Sequence, residues 1–171
     1  MSEQEISGQK LVPVFFVDEV KIGESFDKQD WPLHITLFPP VEAQYTELLG
    51  KAMRFFINPI EPFTAKIDGE ALFGTDEEKA LNKGVPVYTV ERSTQLVIAH
   101  KGFIRALSHL PHNDTFRREY NPHVSKKHNT RSLSLGDELL VGGISVATSE
   151  LGTSTWTVAD KMRFKGTGVI G

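Results

Sequence analysis

The chain contains no cysteine. Disulfides, thiolate nucleophiles and cysteine-ligated zinc are therefore excluded, and the redox compartment is left open. An excess of positive charge is also missing. Nineteen Lys and Arg stand against 22 Asp and Glu, for a net charge of −3 and a pI near 6.1. That balance argues against a general nucleic-acid binder that neutralises many phosphates, while a small anionic ligand answers to local charge instead. Long apolar runs are lacking too. Leu11 to Val17, the longest near the start, is strand-sized and far too short to span a bilayer. The opening MSEQEISGQK is polar, without the apolar core of a signal peptide, so the expected address is cytoplasmic, with no membrane partner. No Pro-, Gly- or Ser-rich linker and no low-complexity tract divides the 171 residues, and 1–171 reads as a single domain.

What is present is an ordinary globular balance, 39% hydrophobic and 24% charged, with eleven Phe carrying most of the aromatic packing. Residues 11–17 are β-branched and aromatic and predict a buried strand, with Pro13 marking its edge or its beginning. Residues 18–30 read as a charged loop. Leu33 to Phe38 alternates with period two between Pro32 and Pro39-Pro40, a short strand that carries His34, Thr36 and Phe38 on one face. Apolar spacing from Glu42 to Ile57 predicts an amphipathic helix ended by Asn58-Pro59. Strands follow at 63–73, with a shift near Gly69, and at 85–91. A second helix begins at Ser93 as N-cap, runs to Leu110 and is broken by Pro111. A short strand at 121–126 and two more at 138–148 and 155–165 close the order β, β, α, β, β, α, β, β, β. Gly142-Gly143 reads as a bulge and Gly166 to Gly168 as a loose tail. Neither has the Gly-Lys-Ser/Thr ending of a phosphate loop. The halves echo one another coarsely, which predicts two similar α+β lobes facing each other.

Two segments carry the chemistry. Trp31-Pro-Leu-His34-Ile-Thr36-Leu and Tyr120-Asn-Pro-His123-Val-Ser125-Lys lie about half a chain apart, and each has a proline, a histidine, a β-branched residue and a hydroxyl. On a strand, His and hydroxyl at i and i+2 share a face. Two such strands side by side would surround one small volume with two imidazoles and two hydroxyls, which suits a phosphate. In-line displacement at phosphorus needs a base on the attacking oxygen and an acid on the leaving oxygen, and imidazole serves either role near neutral pH. Hydroxyl donors can absorb the charge that develops on the phosphoryl oxygens, so the scheme needs no metal and no cofactor. A lone strand histidine is more often structural. The match of residue type, spacing and face in both copies turns the pair towards function.

Other residues stand beside them. Arg117, Arg118, Lys126, Lys127, His128 and Arg131 gather near the second motif and would favour a phosphate-bearing ligand, though the arginines read better as ordinary surface charge and the lysines equally well as solvated surface. Of the two lysines, alternation points Lys127 into the cleft with His123 and Ser125. Phe38 and Tyr120 flank the motifs and are candidates to stack a base. The pairs His109/His112 and His123/His128 fall short of the three or four ligands a zinc site wants. His100, in mid-helix, reads as solvent-facing or as a packing residue.

The doubled His-x-[Thr/Ser] pattern, with its separation and flanking strands, resembles the two-histidine (2H) phosphoesterase superfamily, in its 2′-5′ RNA ligase-like branch. The resemblance implies an α+β, bilobal fold with pseudo-twofold symmetry, two antiparallel sheets, helices outside and a central cleft. It implies a metal-independent phosphodiesterase, a monomer acting on the 2′,3′-cyclic phosphate or 2′-5′ linkage of RNA. Residue by residue it brings across His34 and His123 as the acid/base pair, in either assignment, and Thr36 and Ser125 as phosphate-holding hydroxyls. Many members have an arginine shortly after the second motif, where this chain has Lys126 and Lys127 and so loses bidentate grip. Two rival readings remain: a non-catalytic RNA-end or nucleotide-binding module using the same cleft, and an accessory fold whose histidines are structural.

Overall fold

A computed structural model describes residues 8–73, 85–112, 120–126 and 131–166. Its strands are β1 (Gln9–Phe16), β2 (Ser25–Asp27), β3 (His34–Thr36), β4 (Val41–Glu42), β5 (Phe63–Phe73), β6 (Val85–Val90), β7 (His123–Ser125), β8 (Glu138–Val141), β9 (Gly143–Glu150) and β10 (Thr155–Arg163). The helices are α1 (Glu47–Ile57) and α2 (Thr94–Leu107). Their N-caps are local: Thr46 Oγ1 accepts from the Leu49 N–H at 3.1 Å, and Ser93 Oγ from the Leu96 N–H at 3.2 Å, the latter as the sequence predicts. Among the described residues no helix is long and apolar enough to cross a membrane.

The strands form one antiparallel path, β2-β10-β9-β1-β3-β7-β6-β5-β8, with β4 added beside β1. Both helices cover one face. There Met53 and Ile57 of α1 and Leu96, Ala99, Phe103 and Leu107 of α2 pack on Leu11, Phe15, Ile35, Val124 and Tyr88. The opposite face of the first half holds a smaller apolar cluster around Val12, Val14, Phe16 and Trp31. The path has a seam at its middle, where β3 meets β7 through the pair Ile35↔Val124. On either side the registers mirror one another. Val14↔Thr36, Phe15↔Ile35 and Phe16↔His34 join β1 to β3, while Val87↔Ser125, Tyr88↔Val124 and Thr89↔His123 join β6 to β7.

Several sequence expectations shift here for identifiable reasons. Strand β1 is central, paired with β9 on one side and with β3 and β4 on the other, so Pro13 is neither at an edge nor at the beginning. The position that continues the β1–β3 register sets Pro13 opposite Leu37. Leu37 N–H donates to the Pro13 carbonyl at 3.0 Å, and Pro13 has no N–H to return. Buried His100 on α2 supplies the missing donor, its Nδ1 lying 2.8 Å from the Leu37 carbonyl. His100 is thus a packing residue with a specific partner, not a solvent-facing one. The helix expected from Glu42 starts at Glu47, because Val41 and Glu42 extend the sheet against Leu11 and Lys10. The loop expected over 18–30 contains β2, whose Ser25–Asp27 pairs with Thr157–Thr155 of β10.

The strand expected at 138–148 is two strands. At Gly142 the chain leaves β5, the partner of β8, and crosses to β1 and β10, the partners of β9. Gly143 sits where a Cβ would run into the Met162 carbonyl oxygen, so backbone proximity requires the glycine. The shift near Gly69 is a register irregularity between Ile67 and Gly69 in the β5–β6 ladder. On the helix side, Asp160 of β10 accepts from Tyr45 Oη and from Arg54 Nη2, the latter at 2.7 Å, fastening α1 to the sheet. Burial, and then the Asp160 carboxylate, push the Tyr45 phenol up to about 12.

Candidate active site

The site follows from register. Ile35 and Val124 are paired and fully buried against the helices, so their neighbours in both strands face the other way. Continuing the antiparallel register sets His34 opposite Ser125 and Thr36 opposite His123. The two histidines occupy one diagonal of a four-residue patch and the two hydroxyls occupy the other. Diagonal positions on such a pair lie about 7–8 Å apart, a separation that leaves room for a tetrahedral phosphate between two imidazoles. All four residues are half-buried.

Each imidazole is oriented in the same way. His34 Nδ1 lies 2.8 Å from the Pro32 carbonyl, and His123 Nδ1 lies 2.9 Å from the Asn121 carbonyl. A carbonyl only accepts, so Nδ1 carries the proton in each bond, and Nε2 is the basic nitrogen of each neutral ring. The prolines stand at different offsets from their histidines, yet the anchoring carbonyl is two residues upstream in both motifs.

The cleft beside this patch has a volume of about 270 Å³ and is lined by Val12, Lys28, Trp31, His34, Thr36, Pro40, Ser125 and Trp156. His123 shares the face but is not among the lining residues. Trp31 leans on His34, with ring centroids 4.6 Å apart, and Phe16 stands 6.0 Å away. Aromatic surface thus backs the first imidazole.

The remaining sequence candidates fall elsewhere. Phe38, a proposed base platform, is 1% exposed and packs in the core beside His112 and His100. Strand β3 ends at Thr36, so the alternation that placed Phe38 with the histidines no longer holds two residues later. Tyr120, the other proposed platform, lies face to face with His100 at 4.1 Å and donates its hydroxyl to the Thr36 carbonyl at 3.0 Å. It therefore braces β3 from the core side, and burial pushes its phenol upward. Lys126 pairs with Glu70 and sits 4.7 Å over the Tyr88 ring, away from the cleft as alternation requires. Arg131 pairs with Asp18 at 3.0 Å as ordinary surface charge. Lys127, Arg117, Arg118 and His128 lie outside the described residues. Among the described residues no group of three His, Cys, Asp or Glu converges as metal ligands. Sequence reasoning passed over Trp31, Trp156 and Lys28, although the chain has only two tryptophans and one of them opens the first motif.

The family model of the 2′-5′ RNA ligase superfamily matches residues 12–141, about three quarters of the chain, and both motifs fall within that span. The chain belongs to this superfamily of two-histidine phosphoesterases. Solved structures agree in fold. TT0787 of Thermus thermophilus is 18% identical, with 92% of this chain and 98% of that one covered and a TM-score of 0.59. A protein described as a phosphoesterase is 12% identical, with 92% and 99% covered and a TM-score of 0.54. Escherichia coli LigT, solved with 3′-AMP, is 12% identical, with 92% and 99% covered and a TM-score of 0.51. At these identities the likeness is one of fold: a largely antiparallel open sheet with two helices. No curated protein matches by sequence. Superfamily membership gives the α+β scaffold and a phosphoesterase or ligase-like class of activity.

Proposed function

We propose that the protein hydrolyses the 2′,3′-cyclic phosphate or 2′-5′ phosphodiester of RNA, with His34 and His123 as a metal-independent acid/base pair. The observation that carries this reading is the Ile35↔Val124 register, which puts the two histidines on one diagonal and Thr36 and Ser125 on the other. A phosphate at the centre would have a nitrogen base on each side of phosphorus. One histidine takes a proton from the attacking water as the new P–O bond forms. The other gives its proton to the ribose oxygen as the old P–O bond breaks. The two rings finish with exchanged protonation and reset through solvent. Thr36 and Ser125 donate to the non-bridging oxygens, whose charge grows in the transition state. The carbonyls of Pro32 and Asn121 keep both rings aimed, so little reorganisation accompanies proton transfer. That LigT was solved with 3′-AMP supports a nucleotide-sized ligand in a fold of this kind.

The test is hydrolysis of nucleoside 2′,3′-cyclic monophosphates and of a 2′-5′-linked dinucleotide in EDTA, beside His34→Ala and His123→Ala. The expected result is turnover in the parent that falls by about 10²–10⁴-fold in each variant. Loss of only a few-fold in either variant sinks the two-histidine mechanism. Saturable nucleotide binding without product would leave a nucleotide-binding module in its place.

A further inference from the structure

The two tryptophans of the chain both line the cleft on the His34 side, and they are placed differently. Trp31 is 7% exposed and enclosed by Phe16, Phe26 and His34, so its surface is taken up by packing. Trp156, on β10, is half-buried and continues the cleft wall outward. It meets Trp31 edge to face, with centroids 5.3 Å apart, and so stands one ring further than Trp31 from the imidazole. A nucleotide has the same layout, with its base one ribose away from phosphorus.

The wall is also held rigid. Ser25 Oγ and Thr157 Oγ1 share a hydrogen bond at 2.8 Å, Ser154 Oγ donates to Asp27 at 2.6 Å, and Lys28 N–H donates to the Ser154 carbonyl at 2.7 Å. These bonds pin β2 and the following turn to β10, so Trp156 and Lys28 are positioned before any ligand arrives. Lys28 is exposed and is the cation among the described residues lining the cleft.

We infer that Trp156 is the platform on which the base of the bound nucleotide stacks while its phosphate lies among His34, Thr36, His123 and Ser125. Lys28 at the cleft wall draws the anion in. Stacking on an indole tolerates any base, because every base has a π-face, so the platform selects nucleosides over bare sugar phosphates rather than one base over another. The inference rests on the phosphate occupying the proposed catalytic patch, and it deepens that reading by assigning the base subsite.

Two readouts test it. The first compares kcat/KM for a nucleoside 2′,3′-cyclic monophosphate with that for the base-free 1-O-methyl riboside 2′,3′-cyclic phosphate, in the parent, Trp156→Leu and Trp156→Phe. The ratio of the two values is expected to fall about tenfold in Trp156→Leu, chiefly through KM, and to recover partly in Trp156→Phe. An unchanged ratio overturns the platform. The second readout needs no turnover. With both tryptophans at the cleft, a nucleoside 3′-monophosphate is expected to quench intrinsic fluorescence where inorganic phosphate does not. Trp156→Phe, with Trp31 as its remaining indole, should lose that quench. Quenching that persists in Trp156→Phe, or none in the parent, overturns the platform. A parent that is quenched but turns over neither substrate leaves the platform standing and instead removes the catalytic reading.

Discussion

At the residue scale, each of the two histidines has its Nδ1 anchored by a backbone carbonyl two positions upstream. Their aim is set by the same short segments that carry them. For this reason the shared face of His34, Thr36, His123 and Ser125 was legible in the sequence: period two is a local property and holds wherever a strand holds. It fails one step outside. Phe38 follows the end of β3 and Tyr120 precedes the start of β7, so strand parity could not tell on which side of the sheet either ring would fall. The mechanism predicts a bell-shaped pH dependence of kcat/KM, with one limb for the base and one for the acid. In either histidine variant the profile should lose one limb in whatever residual rate remains. A parent profile with a single limb would contradict a two-histidine mechanism. On the proposed mechanism the hydroxyl is the working group, so Thr36→Ala and Ser125→Ala should each lower kcat with less effect on KM, and Thr36→Ser should restore most of the rate.

Elements are where sequence reading both succeeded and stopped. The helix cap at Ser93, and strands rich in β-branched residues, announce themselves through local preference, whereas the cap at Thr46 was passed over when the first helix was read from Glu42. Strands β2 and β4 did not announce themselves, since one lies in a charged stretch and the other directly after Pro39-Pro40, and only β10 and β1 make them strands. The pairing of Pro13 with His100 through the Leu37 carbonyl was equally invisible, because it joins three segments far apart in the chain. It has a measurable signature. Burial holds the His100 imidazole below its usual 6.5, outweighing the opposite influence of the Leu37 carbonyl. As pH falls beneath 6.5, the unfolded chain gains a proton that the folded protein resists. Stability should therefore decline with falling pH in that window, and level off once the folded ring is also charged. Urea midpoints followed across the window should show a slope in the parent that is reduced in His100→Gln. His100→Ala should cost about 1–3 kcal/mol at neutral pH, the penalty of an orphaned buried carbonyl.

Viewed as a whole molecule, the two half-sheets meet at one residue pair, and the proposed catalytic patch is divided evenly across that seam. The coarse echo between the halves was readable, because each half repeats the same motif. The division of strands between them was not. The first half borrows β9 and β10 from beyond the second, and a glycine pair gives no sign of whether it bends a strand or ends one. Gly143→Ala should destabilise by about 1–3 kcal/mol in a urea titration, since its added Cβ meets a backbone carbonyl that cannot step aside. Net charge supplies a further expectation at this scale. A chain with three more acidic than basic groups should show only a shallow salt dependence of KM for an oligonucleotide. A steep dependence would mean that many phosphates are gripped at once.

The borrowed strands also impose an order of events during synthesis. β1, the middle of the first half-sheet, leaves the ribosome long before its neighbour β9, and the indole of β10 arrives after every other part of the cleft. Until then β1 exposes apolar side chains that it will later bury on both faces. A nascent chain halted before residue 143 would carry both histidines, yet it would have no finished sheet to hold the first of them. Activity in this architecture is a property that the ribosome cannot deliver in instalments.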